Sequence, residues 1–161
     1  VGNLTGVDLS PEMVDKARGR GCYDSLVVGD VECILRRDGP VHETCRAQAS
    51  SNDAAFDIIF ACDVLVYIGD LKPVFQSVRN SLVGKNGVFA FSAEVLEERE
   101  ETGVDDQPFV LQSCARFAHE RSYIERLAVE FGFEKKAVET FMIRKSEGRV
   151  IKGMIAVLGI I

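Results

Sequence analysis

The feature that most narrows the possible folds is a continuous apolar run, FDIIFA at 56–61, followed by an amphipathic segment and then a second apolar run, GVFAFSA at 87–93. An uninterrupted apolar strand belongs in a parallel sheet covered on both faces, where the alternation with polar residues is lost. Between the two runs, Val74, Phe75, Val78 and Leu82 recur at helical spacing, which predicts a helix with one apolar side that stops near Gly84. Strand, helix, strand in this order is a β-α-β unit.

The same alternation precedes it. Residues 4–8 (LTGVD) read as a short buried strand, and Ser10-Pro11-Glu12 then supplies an N-cap, a proline at the first helical position and an early acid. Met13, Val14 and Ala17 form the apolar stripe of that helix, and Gly19 and Gly21 offer places to stop. A second strand at 26–28 ends in Gly29-Asp30 and enters a helical piece, VECILRR, whereas 38–55 show no apolar period and read as a surface loop. Farther on, a helix over 121–131 turns Ile124, Leu127, Ala128 and Phe131 inward and ends at Gly132. Two strand-like runs, 133–144 and 149–160, are joined by Lys145-Ser146-Glu147-Gly148, the pattern of a β-hairpin. The expectation is an α/β fold in one domain, 1–161, with a parallel sheet and an antiparallel hairpin at one edge.

Charge and cysteine content exclude several classes. At 161 residues the chain is long enough to bury about two-thirds of its unfolded surface. A net charge of −6 gives no basic footprint for a phosphate backbone, so nucleic acid is excluded as a partner. No apolar run approaches the ~20 residues that span a bilayer. Five cysteines, Cys22, Cys33, Cys45, Cys62 and Cys114, form an odd set without a CxxC pair, which fits thiols in a reducing compartment and points to the cytoplasm. The acids concentrate in EVLEEREETGVDDQ at 94–107, where Glu94, Glu97, Glu98, Glu100, Glu101, Asp105 and Asp106 face one Arg99. Such a run either guides a cationic substrate or is a solvated loop.

GVDLSPEMVDKA, VVGDV, FDIIFACDVLVYIGDL and the terminal hairpin together resemble the class I S-adenosylmethionine-dependent methyltransferases, over nearly the whole chain. Within them, YIGDL, GVFAFSAE and RFAHERSYIERLAVEFGF resemble a branch acting on small molecules or proteins, often methyltransferase-like or linked to tetratricopeptide repeats. The resemblance implies a Rossmann-like three-layer sheet of seven strands in the order 3-2-1-4-5-7-6, of which the second to seventh have counterparts here. The first strand and its G-x-G-x-G turn have none, since only Val1 to Thr5 precede GVDLS. Neighbouring strands lie about 4.8 Å apart, so a missing central strand leaves a gap of roughly 10 Å. Three things can fill it: residues upstream of Val1, direct pairing of the flanking strands, or another chain in a swapped homodimer. Truncation of a longer protein is the expectation.

The resemblance also distributes roles. Asp8, closing the first strand, would accept hydrogen bonds from ribose hydroxyls, with Leu9 and Met13 packing near ribose or adenine; otherwise Asp8 is an acid favoured by a helix N-terminus and the apolar pair is core. Asp30 would receive the adenine amine while the Val31 amide meets a ring nitrogen, or else Asp30 caps the following helix. Ala61, Cys62 and Asp63 leave their strand beside the cofactor's methionine end, and Val64 and Tyr67 continue that wall. Tyr67 would face the substrate, or be a packed ring with its hydroxyl satisfied. Cys62 reads as a small packed side chain. Arg116 and His119 lie in the substrate-facing segment, where His119 would position substrate or accept a proton, or act as a helix-start histidine. His42 is assigned no role.

Function follows from the resemblance as methyl transfer from S-adenosylmethionine to a small-molecule or protein acceptor. A catalytically silent methyltransferase-like binding module is the alternative, motivated by the missing glycine loop. A dehydrogenase would need the same loop for pyrophosphate, and the final hairpin disfavours it.

Overall fold

A computed structural model describes residues 2–31, 56–96, 107–146 and 149–161. The chain divides into two compact units, Val1–Ala55 and Phe56–Ile161, and the described strands form two separate sheets.

In the first unit β1 (Thr5–Asp8) pairs in parallel with β2 (Ser25–Val28), in a register that sets Asp8 opposite Val28. Between them runs α1 (Pro11–Arg18). The Ser10 hydroxyl accepts the Met13 N–H at 3.3 Å and donates to Glu12 at 2.7 Å, which satisfies one open donor of the first turn as the Ser-Pro-Glu sequence predicts. After the Gly19 cap, Gly21 takes φ +65°, a conformation that suits glycine. Only Val14 of α1 is buried, and Leu4 and Val7 stay exposed. Thr5 and Gly6 are half-buried while Val7 and Asp8 are exposed, so the expectation of a buried first strand is not met. Within its own unit β1 pairs with β2.

The second unit is built on β4 (Val88–Val95). Along one edge it pairs antiparallel with β8 (Arg149–Ile160), which pairs in turn with β7 (Phe133–Ser146). Its other edge is shared. β3 (Ile58–Ala61) runs parallel to Val88–Phe91, and farther along β6 (Phe117–His119) runs parallel to Glu94 and Val95. A short antiparallel strand, β5 (Phe109–Leu111), completes the sheet beside β6. The order β3-β4-β8-β7 matches 4-5-7-6 of the class I scheme, and β1-β2 matches 2-3; the α/β class and the terminal hairpin are as expected. The small β5–β6 pair was not expected.

Helices α2 (Lys72–Ser81) and α3 (Arg121–Glu130) supply the rest of the core. The sequence period places Val74, Phe75, Val78 and Leu82 inward on the first, and all four are buried; on the second Ile124, Leu127 and Ala128 are buried together with Tyr123. Gly132, at φ +71°, ends α3. Strand β8 meets this core with Met154, Ala156, Leu158 and Ile160, every second residue, as a strand with one buried face must. One expectation fails here. FDIIFA should be covered on both faces, yet Phe60 is 69% exposed and Ile58 50%, while Ala61 is buried. Residues that alternate across β3 thus meet different surroundings, a packed face and an open one.

Phe75 is the hub of the core. Its ring lies edge-on to those of Phe89, Phe91 and Phe133 at 5.5, 5.7 and 6.2 Å, and it is fully buried. Replacing it with alanine removes these contacts and leaves a cavity, so Phe75→Ala should lower stability by about 3–5 kcal/mol, measured by urea unfolding. A loss below about 1 kcal/mol would mean that the ring cluster is not the packed centre of this unit.

Candidate functional site

In the first unit the residues expected to meet a nucleoside gather at the carboxyl ends of two adjacent parallel strands. Asp8 ends β1, and Asp30 lies two residues past Val28, its neighbour in register. Asp8 is exposed, and its Oδ1 accepts the Ser10 N–H at 2.8 Å, which fixes the carboxylate at the start of the strand-to-helix turn. Leu9 and Met13 are both exposed rather than core, beside Asp8 and one turn into α1. Asp30 is exposed and Val31 half-buried. The helix expected after Val31, the loop at 38–55 and His42 fall outside the described residues.

In the second unit the polypeptide leaves β3 at buried Ala61, passes exposed Cys62, and turns at Asp63 in a left-handed conformation, φ +56°. A non-glycine residue seldom takes this shape, although aspartate tolerates it better than most. The Asp63 N–H is held by the Ser92 hydroxyl of β4 at 2.9 Å. A 3-10 turn, Leu65–Tyr67, follows; Leu65 and Val66 anchor it in the core and leave Tyr67 59% exposed.

Arg116 ties this turn to the sheet. Its Nη1 lies 2.9 Å from Asp63 Oδ1 and 3.7 Å from Glu94 Oε1, and its Nη2 donates to the Tyr67 hydroxyl at 3.3 Å. The guanidinium also stands 5.4 Å from the centre of the Tyr67 ring, within cation–π range. Glu94 is fully buried, with Gln112 Nε2 donating to its other oxygen at 3.2 Å. Glu94 is thus not part of a solvated acidic loop, as its place at the head of the acidic run suggests. It is the seventh residue of β4, on the face opposite Ala93 and Val95, and both faces of the strand are covered at this point. The remaining acids of that run, Glu97 to Asp106, lie outside the described residues.

His119 is placed differently from Tyr67. It is fully buried at the end of β6, with Nε2 2.9 Å from the Ile68 carbonyl and 3.0 Å from that of Gly69. Two acceptors at one nitrogen require that nitrogen to carry the hydrogen, so the neutral ring has its lone pair on Nδ1, which is buried without a partner. Burial lowers the His119 pKa below the usual 6.5, against the opposing pull of the two carbonyls. The ring stacks on Tyr123, whose hydroxyl donates to Asp70 Oδ1 at 2.7 Å and accepts the Leu71 N–H at 3.0 Å. Burial first, and then Asp70, push the Tyr123 hydroxyl well above its usual value. Gly69 completes the arrangement: a Cβ there would meet the Phe109 and Phe117 rings at 2.9 and 3.0 Å. In this setting His119 fixes the 68–70 turn.

The structure therefore brings Asp63, Tyr67 and Arg116 together and sets His119 beneath them. Ser92, Glu94, Gln112 and the Asp70–Tyr123 pair were not expected. None of these had a legible local signal: Glu94 heads an acidic run, and its apolar neighbours Ala93 and Val95 lie on the other face of β4.

Against this geometry the comparisons with known proteins can be set. The chain belongs to the methyltransferase-domain family, whose model matches residues 1–91. No curated protein matches it. Among solved structures, a SAM-dependent methyltransferase of Methanosarcina mazei is similar at 12% identity and TM-score 0.65, covering 99% of this chain and 82% of that one. A S-adenosylmethionine-dependent methyltransferase of Clostridium acetobutylicum is similar at 20% identity and TM-score 0.60, covering 99% and 75%. The [4+2]-cyclase SpnF is similar at 14% identity and TM-score 0.65, covering 98% and 66%. These likenesses share a fold, and the cyclase shows that the fold alone does not set the reaction.

Because burial lowers the His119 pKa in the folded chain below the ordinary 6.5, the unfolded chain binds more protons as pH falls through that value. Its contribution to stability is complete above 6.5 and is lost as pH falls toward the lowered folded value. Urea unfolding between pH 7.5 and 5.5 should show a fall of at most about 1.4 kcal/mol per pH unit from this group. His119→Gln, which keeps a donor but does not titrate, should flatten it. An unchanged slope in the variant would mean that the pKa of His119 is the same in the folded and unfolded chain.

Proposed function

We propose that the chain transfers a methyl group from S-adenosylmethionine to a small-molecule or protein acceptor. The observation that carries this reading is the pair Asp8 and Asp30 at the carboxyl ends of adjacent parallel strands, in a chain of the methyltransferase-domain family. Strand ends of this kind are where open α/β sheets bind ligands. The fit is chemical as well as positional: exposed carboxylates accept from hydroxyls and amines, and exposed Leu9 and Met13 offer apolar surface to a base.

In this reading Asp8 holds ribose hydroxyls, Asp30 and the Val31 amide read adenine, and Leu9 and Met13 pack near them. In the second unit Ala61, Cys62 and Asp63 serve the methionine end, and Tyr67 faces the acceptor. His119 acts as a positioning residue through the 68–70 turn. The cofactor supplies a methyl group already activated by its sulfonium, for in-line displacement by a nucleophilic atom of the acceptor. What the protein supplies is alignment and exclusion of water, and alignment alone is worth about 7–11 kcal/mol. Both units belong to one methyltransferase domain in this proposal, which the family match supports by running across the boundary between Ala55 and Phe56. A cytoplasmic location rests on the cysteine pattern. Among the described residues no helix is long and apolar enough to cross a membrane.

Calorimetric titration with S-adenosylhomocysteine tests the reading. Micromolar binding is expected, with Asp8→Ala weakening it about 10- to 100-fold, the range for hydrogen bonds to a charged group. Equal affinity in the variant would remove Asp8 from the site. No binding by a folded chain would favour the silent module.

A further inference from the structure

Arg116 is held from behind and exchangeable in front. Glu94 is fully buried, so a cation that left it would strip the charge from beside a carboxylate out of reach of water. Asp63 is the opposite kind of partner. Its side chain is 66% exposed and reaches Nη1 through a single oxygen, an exposed ion pair of the sort that contributes little. The Tyr67 hydroxyl accepts from Nη2, which leaves its own hydrogen to donate elsewhere. Asp63 adopts its uncommon left-handed backbone at this same point, as strained residues do at ligand sites.

We propose that Arg116 and Tyr67 form a clamp for a carboxylate on the methyl acceptor, with the Asp63 carboxylate holding the position that the ligand takes. The proposal rests on the methyl-transfer reading and names the acceptor class: a molecule with a carboxylate near its reacting atom. One carboxylate replaces another, so the charge around Arg116 is conserved while Asp63 moves to solvent. The exchange is favourable because Nη1 and Nη2 together offer a planar fork that one aspartate oxygen does not fill. A cationic acceptor fits poorly, since it would have to displace Arg116 from Glu94. The cofactor's own carboxylate has the same chemistry, so the test must separate the two sources.

The test is a titration of the 161-residue chain with benzoate, followed by NMR of the Arg116 side-chain N–H signals, with neutral benzamide as control. Benzoate should shift these signals and benzamide should not. Asp63→Asn suits the turn equally well and removes the competing charge, so it should tighten benzoate binding roughly fivefold. Arg116→Lys keeps a cation beside Glu94 but loses the fork, and should abolish the benzoate-dependent shift that the parent shows at the Tyr67 backbone amide. Benzoate binding no tighter in Asp63→Asn than in the parent, or an equal response to benzamide, would overturn the clamp. Repeating the titration with saturating S-adenosylhomocysteine separates the sources: persistent benzoate shifts support the acceptor assignment. If S-adenosylhomocysteine blocks benzoate while methylthioadenosine, which lacks the amino-acid end, does not, the acceptor assignment is overturned and the clamp belongs to the cofactor. Failure of S-adenosylhomocysteine to bind at all would count against methyl transfer, whatever benzoate does.

Discussion

Strand β4 is the member on which the larger unit depends. It is hydrogen-bonded along both edges, to β8 on one and to β3 and then β6 on the other. Its inward residues Phe89 and Phe91 meet Phe75, so the same strand carries the backbone ladder and the aromatic core. Because β3 stops at Ala61 while β4 runs on to Val95, the extra length of β4 projects past the end of β3. There its side chains take up the site: Ser92 holds the Asp63 amide and Glu94 sits behind Arg116. A parallel sheet with one strand longer than its neighbour creates a ledge at the carboxyl edge, where α/β proteins bind ligands.

The ledge is polar but well determined. Arg116 joins β6's approach to the turn after β3, while His119 and the Asp70–Tyr123 pair pin the next four residues from below. Buried polar groups work against desolvation, and among the described residues one buried side-chain atom, His119 Nδ1, lacks a partner. That one orphaned nitrogen is consistent with a ring kept neutral by burial, since a second proton would have no acceptor. Rigid support below and exposed contacts above would suit the proposed binding wall, held in place without being closed.

Local chemistry explains what was legible in the sequence. The start of α1 follows from Ser10, Pro11 and Glu12, the inward faces of α2 and α3 from their period, and the β7–β8 hairpin from two strand-like runs around a polar turn. Each of these is decided within a dozen residues. Strands β5 and β6 are three residues each and owe their existence to partners far away, β6 to the end of β4, so no local pattern announces them. Glu94 was obscured by the acids that follow it. His119 and Tyr67 look equally suited to chemistry as residues, and only the fold separates the buried ring from the exposed one. The exposed side of β3 was illegible for the same reason: an apolar run says that a face wants cover, not what covers it.

The central proposal is that Asp8, ending β1, and Asp30, after β2, bind the nucleoside end of the cofactor, and the turn after β3 its methionine end. Hydrogen–deuterium exchange with and without saturating S-adenosylhomocysteine tests it most directly, because it reports where the ligand acts. The account predicts slowed exchange in peptides covering residues 6–13, 28–31 and 61–67, with β7 and β8 unchanged. Slowed exchange confined to other segments, with these three unaffected under conditions where the ligand is bound, would contradict it.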